Sequence, residues 1–265
     1  MARKRAYLLI TIFALLMVLF PFLFWYSTWF GRKLSNAEID RYLADREKPR
    51  HAQHALVQVG ERISRKDPGV SRWYPAVVRL ASSPQLELRQ TAAWIMGQDH
   101  GYAPFHDALL ALLHDGQPMV RRNAALALSN FGDSAARGEL LSMLRPYVIA
   151  APVAGKVRYR LKLGEYVNPG TLVARIGDFE VRAPLPGEVR DLDAKEGATV
   201  SPGDALVELA ADKDHAWEAL RALWAVGTKA DLDEVQRYAR GVPGMPEKVQ
   251  EQAVLTARSI QSRQP

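Results

Sequence analysis

Along this chain the apolar positions follow three rhythms, and each predicts a different kind of structure. From Ala6 to Phe30 they form one unbroken run without a charged side chain. At about 1.5 Å per residue that run exceeds the roughly 30 Å hydrocarbon core of a bilayer. Pro21 inside it predicts a kink, and Trp25, Tyr26 and Trp29 crowd its far end, where amphipathic rings favour the headgroup layer. The run is too long for a signal-peptide core and no small-residue cleavage site follows it, so the expectation is an uncleaved transmembrane helix. After it the apolar positions recur at helical spacing. Between Tyr147 and Leu209 they alternate instead, in short Val-rich runs broken by Gly and Pro, as strands do. Helical spacing then returns. The expected divisions are 1–33 for a cytoplasmic tip and membrane anchor, 34–146 for helices, 147–210 for a β insertion and 211–265 for further helices.

The helical part repeats itself. Leu88-Arg89-Gln90-Thr91-Ala92-Ala93-Trp94 superposes on Val120-Arg121-Arg122-Asn123-Ala124-Ala125-Leu126, with Arg89 falling on Arg121 and the alanine pairs on each other. Ala108 to Leu113 and Leu140 to Leu144 read as partner helices. Trp217 to Gly227 repeats the motif, Val249, Ala253, Ala257 and Ile260 repeat it again, and Ala55 to Gly60 is a degenerate first copy. The alanines let neighbouring helices approach, and a single helix pair leaves one apolar face bare, so such pairs must stack. The Val-Arg-x-x-Ala-Ala helix after a turn such as Asp115-Gly116-Gln117-Pro118 resembles the short bacterial HEAT repeats, of the kind associated with PBS lyases. The resemblance implies an α-α superhelix used as a protein-binding surface.

The β stretch is itself a duplication. Ala151-Pro152-Val153-Ala154-Gly155-Lys156-Val157 matches Ala183-Pro184-Leu185-Pro186-Gly187-Glu188-Val189 position for position. Gly164 to Gly170 likewise matches Gly197 to Gly203. Neither half can bury an apolar face alone, so the two are expected to interlock. The duplicated pattern resembles the biotinyl/lipoyl carrier fold, a barrel-sandwich hybrid also found in periplasmic adaptors of export pumps. Carriers of that family are modified on a lysine at the hairpin joining the halves; here that hairpin runs Val173 to Val181 and has none. Arg175 is its nearest cation, and a guanidinium cannot be the acylated amine. Export adaptors place a long coiled coil at the same point, where this chain has a tight turn.

Charge narrows the picture further. The formal net charge is +6, from 35 Lys and Arg against 29 Asp and Glu; Arg3, Lys4, Arg5, Arg32 and Lys33 flank the first apolar run. Without those five the balance is 30 to 29, which does not imply a nucleic-acid-binding surface. The flanking bases and the short N-terminal tail place the N-terminus in the cytoplasm and the body in the periplasm of a bacterial inner membrane. There is no cysteine. His51 and His54, one helical turn apart, have no third ligand nearby, and Asp99-His100 and His106-Asp107 read as capping pairs. No phosphate loop, nucleophile elbow or His-Glu-x-x-His motif occurs.

The expected fold is therefore mainly α with a β insertion: a transmembrane helix, then a HEAT-like α-α superhelix interrupted by a biotinyl/lipoyl-like barrel sandwich. The expected function is a non-enzymatic, membrane-anchored scaffold without cofactor, metal or catalytic residues. Residues 6–30 would meet the bilayer, and the body would bind protein partners, a transport or respiratory complex among them. A periplasmic export adaptor and a cofactor-carrier subunit are the alternatives. The residues expected to meet a partner are Trp73, Tyr74, Arg89, Arg121, Arg122, Arg175 and Phe179.

Overall fold

A computed structural model describes residues 12–23 and 32–263. Residues 12–23 form a helix, α1. Among the described residues no helix is long and apolar enough to cross a membrane. This corrects the expected transmembrane helix over 6–30. The apolar run is real, but only its residues 12–23 are described, and residues 6–11 and 24–30 of the expected helix lie outside the described residues. The bilayer contact and the inner-membrane, periplasmic placement rested on that helix and are corrected with it.

Among the described residues ten helices follow, α2 (Asn36–Ala44), α3 (Pro49–Ser64), α4 (Tyr74–Leu80), α5 (Leu86–Met96), α6 (Ala103–Leu112), α7 (Pro118–Asn130), α8 (Arg137–Ser142), α9 (Lys213–Val226), α10 (Leu232–Ala239) and α11 (Glu247–Ser262). Their starts are written locally. Ser35 and Glu38 close a capping box on α2. A proline stands in the first turn of α3, α4, α6 and α7, where its missing N–H costs nothing. Asp212 caps α9 by accepting from the Asp214 and His215 amides.

The motif-bearing helices α3, α5, α7, α9 and α11 stack in succession, each on the one before. Their Ala and Leu positions join one core that runs from Leu34 through Ala92, Ala93, Ala124 and Ala125 to Ile260. The helix after the β insertion, α9, packs directly on α7, so the helical core is continuous across the insertion. Bonds across it agree. Arg137 pairs with Asp231 through two contacts of 2.8 Å, and the Tyr238 hydroxyl donates to the Leu144 carbonyl at 2.7 Å.

The insertion supplies eight strands, β1 (Tyr147–Ala150), β2 (Gly155–Tyr159), β3 (Tyr166–Val167), β4 (Leu172–Ile176), β5 (Phe179–Arg182), β6 (Gly187–Leu192), β7 (Thr199–Val200) and β8 (Ala205–Leu209). They form two antiparallel sheets, ordered β1-β8-β6-β3 and β5-β4-β2-β7. Adding four to each strand number, cyclically, converts one order into the other. The sequence duplication is thus a pseudo-two-fold, and the halves interlock because β3 pairs with β6 and β7 with β2. Val157, Val173, Val189 and Leu206 meet in a core separate from that of the helices. Tyr147 and Leu209 are paired across β1 and β8, so the insertion leaves and re-enters the helical body at one place.

Candidate partner-binding groove

On α5, Ala92, Ala93, Ile95 and Met96 point into the core, which leaves Trp94 on the opposite arc, 53% exposed. The equivalent residue on α7 is Leu126, half-buried, and on α9 the same arc carries Trp224, also 53% exposed. Because the three helices stack, these residues line one groove of about 400 Å³ together with Gln98, Asn123, Asn130, Glu218 and Arg221. Polar groups along it are left over from the fold. Gln98 accepts from the Ser64 hydroxyl through Oε1 at 2.8 Å, while its buried Nε2 meets no acceptor among the described residues. Asn123 and Asn130 donate through Nδ2 to the Gln90 and Gly97 carbonyls. Shielding by the groove walls raises the Glu218 carboxyl above its ordinary value, partly offset by Arg221.

A second polar cluster lies where the β module joins the helices. Arg122, 4% exposed, donates from Nη1 to His215 Nδ1 at 2.9 Å. Since a guanidinium only donates, His215 is neutral there with its proton on Nε2. Burial, and then the Arg122 charge, lower the His215 pKa; Asp212 and Asp214 pull it back only partly. The Tyr166 hydroxyl of β3 donates to Asp212 at 2.7 Å, and burial with that bond pushes Tyr166 up to about 12. Burial pushes Asp212 up, but the bonds it accepts from His215 N–H and Tyr166 outweigh burial and hold it below the usual range. A depressed histidine pKa means that the unfolded chain binds the proton more readily. Stability should hold above about pH 6.5 and fall as pH drops from there through the lowered folded value. Thermal unfolding from pH 7.5 to 5 checks this: His215→Asn, which keeps an acceptor but cannot charge, should flatten the decline in that window.

The seven residues expected to meet a partner are spread over the molecule. Trp73 and Tyr74 are buried; Trp73 donates to Asp40 at 2.7 Å, and Tyr74 to Asp99 at 2.5 Å. Arg89 and Arg121 share one internal task. Each donates Nη1 to a carbonyl in the turn before its own helix, Ser83 or Asp115, and each pairs with an acid of the next repeat, Arg89 with Asp115 at 2.7 Å and Arg121 with Glu139 at 3.1 Å. Arg122 lies in the buried cluster beside His215. Arg175 pairs with Glu180 at 2.5 Å, and Phe179 is 48% exposed at the hairpin whose tip is Gly177-Asp178. Gly177 has φ 60°, which suits a tight hairpin turn. The groove at α5, α7 and α9 contains none of the seven. Its residues gave only a weak signal, a tryptophan recurring where the repeat otherwise has leucine.

The histidine pair is also engaged internally. His51 bonds Asp45 at 2.8 Å and stacks on Tyr42, while His54 bonds the Arg32 carbonyl at 3.0 Å. Among the described residues no group of three or more His, Cys, Asp or Glu could hold a metal ion.

Residues 74–148 match the family model for HEAT repeats, in agreement with the stacked pairs from α4 to α8. The chain is also similar to an uncharacterized protein, YqeB, of Escherichia coli (strain K12), with 44% identity over 55 residues. That stretch is 21% of this chain and 10% of the relative, so the chain spans only a small part of the protein it resembles.

Proposed function

We propose that this chain is a non-enzymatic scaffold that holds a protein partner in the groove formed by α5, α7 and α9. We also read its inserted β module as a carrier-type barrel sandwich that cannot be loaded. The observation that carries the first reading is the pair of exposed indoles, Trp94 and Trp224, brought to one groove by helices on opposite sides of the β insertion. Aromatic anchors in concave sites dominate protein binding energies, and HEAT repeats suit the same use. The second reading is supported by the pseudo-two-fold sheet order and by a hairpin tip of Gly177-Asp178 without an amine. The module then serves as a rigid spacing element.

The test is affinity capture with the full chain, followed by the Trp94→Ala and Trp224→Ala variants. Each truncation should cost about 2 kcal/mol of binding, roughly thirtyfold in affinity, with little change in melting temperature because both rings lie outside the core. Leu163→Ser, at an exposed position on the β module, should leave capture intact. Partner retention by both tryptophan variants would rule the groove out as the partner site.

A further inference from the structure

The groove's unused charge and ring faces indicate what its occupant carries. Four tryptophans lie among the described residues, and two are already covered by cations of this chain. Arg62 and Arg72 lie 4.9 and 5.4 Å from the Trp73 ring, and Arg221 and Lys248 lie 5.2 and 6.0 Å from the Trp217 ring. Trp94 and Trp224 have no such cover among the described residues, although they are the exposed pair. Indole is the ring that attracts a cation most strongly.

Beside them stands Glu218. Its near neighbour Arg221 is turned to Trp217, and among the described residues Glu218 makes no ion pair or hydrogen bond. An apolar occupant would strip water from this carboxylate and give nothing back, and an acidic one would be repelled. Arg221 lines the same groove and offsets the Glu218 charge only in part; a basic side chain would add to that countercharge. The amides beside them suit a polypeptide backbone: among the described residues Asn123 and Asn130 use only their Nδ2 donors. Their carbonyl oxygens can accept from the N–H groups of an extended strand.

We propose that the groove takes an extended segment of a protein partner and recognises in it a lysine or arginine, held by Glu218 and faced by Trp94 and Trp224. This inference rests on the reading of the groove as the partner site and adds the chemistry of the partner.

The test is selection of a random dodecapeptide display library on the full-length chain. Retained peptides are then measured against the unaltered chain, Glu218→Gln and Trp94→Ala. Enrichment of Lys or Arg is expected. Replacing the selected basic residue by glutamine should weaken binding about tenfold, the effect of one ion pair combined with one cation–ring contact. Glu218→Gln should remove most of that difference. Peptides that need Trp94 but show no basic preference, or bind Glu218→Gln as well as the unaltered chain, would overturn the inference while leaving the groove as a partner site. Selection of peptides indifferent to Trp94→Ala, or of none, would overturn both.

Discussion

Replacing Asp231 by alanine is expected to lower stability by about 3 kcal/mol, from breaking an ion pair whose carboxylate is buried and which also caps a turn, and the melting temperature by roughly 6 to 12 °C. Asp231 is 2% exposed and receives both nitrogens of the Arg137 fork at 2.8 Å, and it also accepts from the Thr228 amide at 2.7 Å. Its loss strands the guanidinium and uncaps the turn before α10. Arg137 opens α8, the last helix before the β insertion, and Asp231 precedes the second helix after it. The pair therefore joins the two arms of the helical body. Burial pushes the Asp231 carboxyl up, but the Arg137 and Thr228 bonds outweigh it and hold the pKa below the ordinary value. Asp231→Asn should fall between the two proteins, since an amide keeps part of the Thr228 contact without the charge. Chemical denaturation of the three proteins measures the order.

A leucine at Gly97 should be comparably damaging, by about 3 kcal/mol, the upper part of the range for overpacking a closed interface. A Cβ at Gly97 would stand 2.7 Å from the Ala127 Cβ and 2.9 Å from its Cα, and backbone does not yield as a long side chain does. Gly60 faces the next motif-bearing helix in a similar way from α3. There the nearest atoms belong to Trp94, Ile95 and Gln98 side chains at 3.0 to 3.3 Å, which can shift. Gly60→Ala should therefore cost less than Gly97→Ala. Melting curves of the two alanine variants separate a close backbone approach from tight side-chain packing.

The repeat and the duplication were legible because each places the same residue type at a fixed interval. Ala92-Ala93 recurs as Ala124-Ala125 because helices must meet there, and Gly170 recurs as Gly203 because both halves need the same turn. The repeated arginines were legible as positions but not as roles. Each is used within the scaffold, clamping the turn before its helix, and only the partners Asp115 and Glu139 reveal it. The groove was hidden for a different reason. Trp94 and Trp224 lie on either side of the β insertion, and although the repeat motif placed α9 in the stack, the motif alone does not say which exposed side chains of α5 and α9 share a groove. The first apolar run predicted a membrane helix from hydropathy summed over Ala6 to Phe30, which measures how a segment would partition, whereas no helix among the described residues is long and apolar enough to cross a membrane.

The most direct measurement on the central claim is site-specific photo-crosslinking in cells, with a photoreactive phenylalanine derivative at position 94, at position 224 or at position 163. A partner seated across α5, α7 and α9 predicts adducts of the chain with one and the same protein from positions 94 and 224, and none with it from position 163 on the β module. Adducts formed only from position 163, or equally from all three, would contradict that seating.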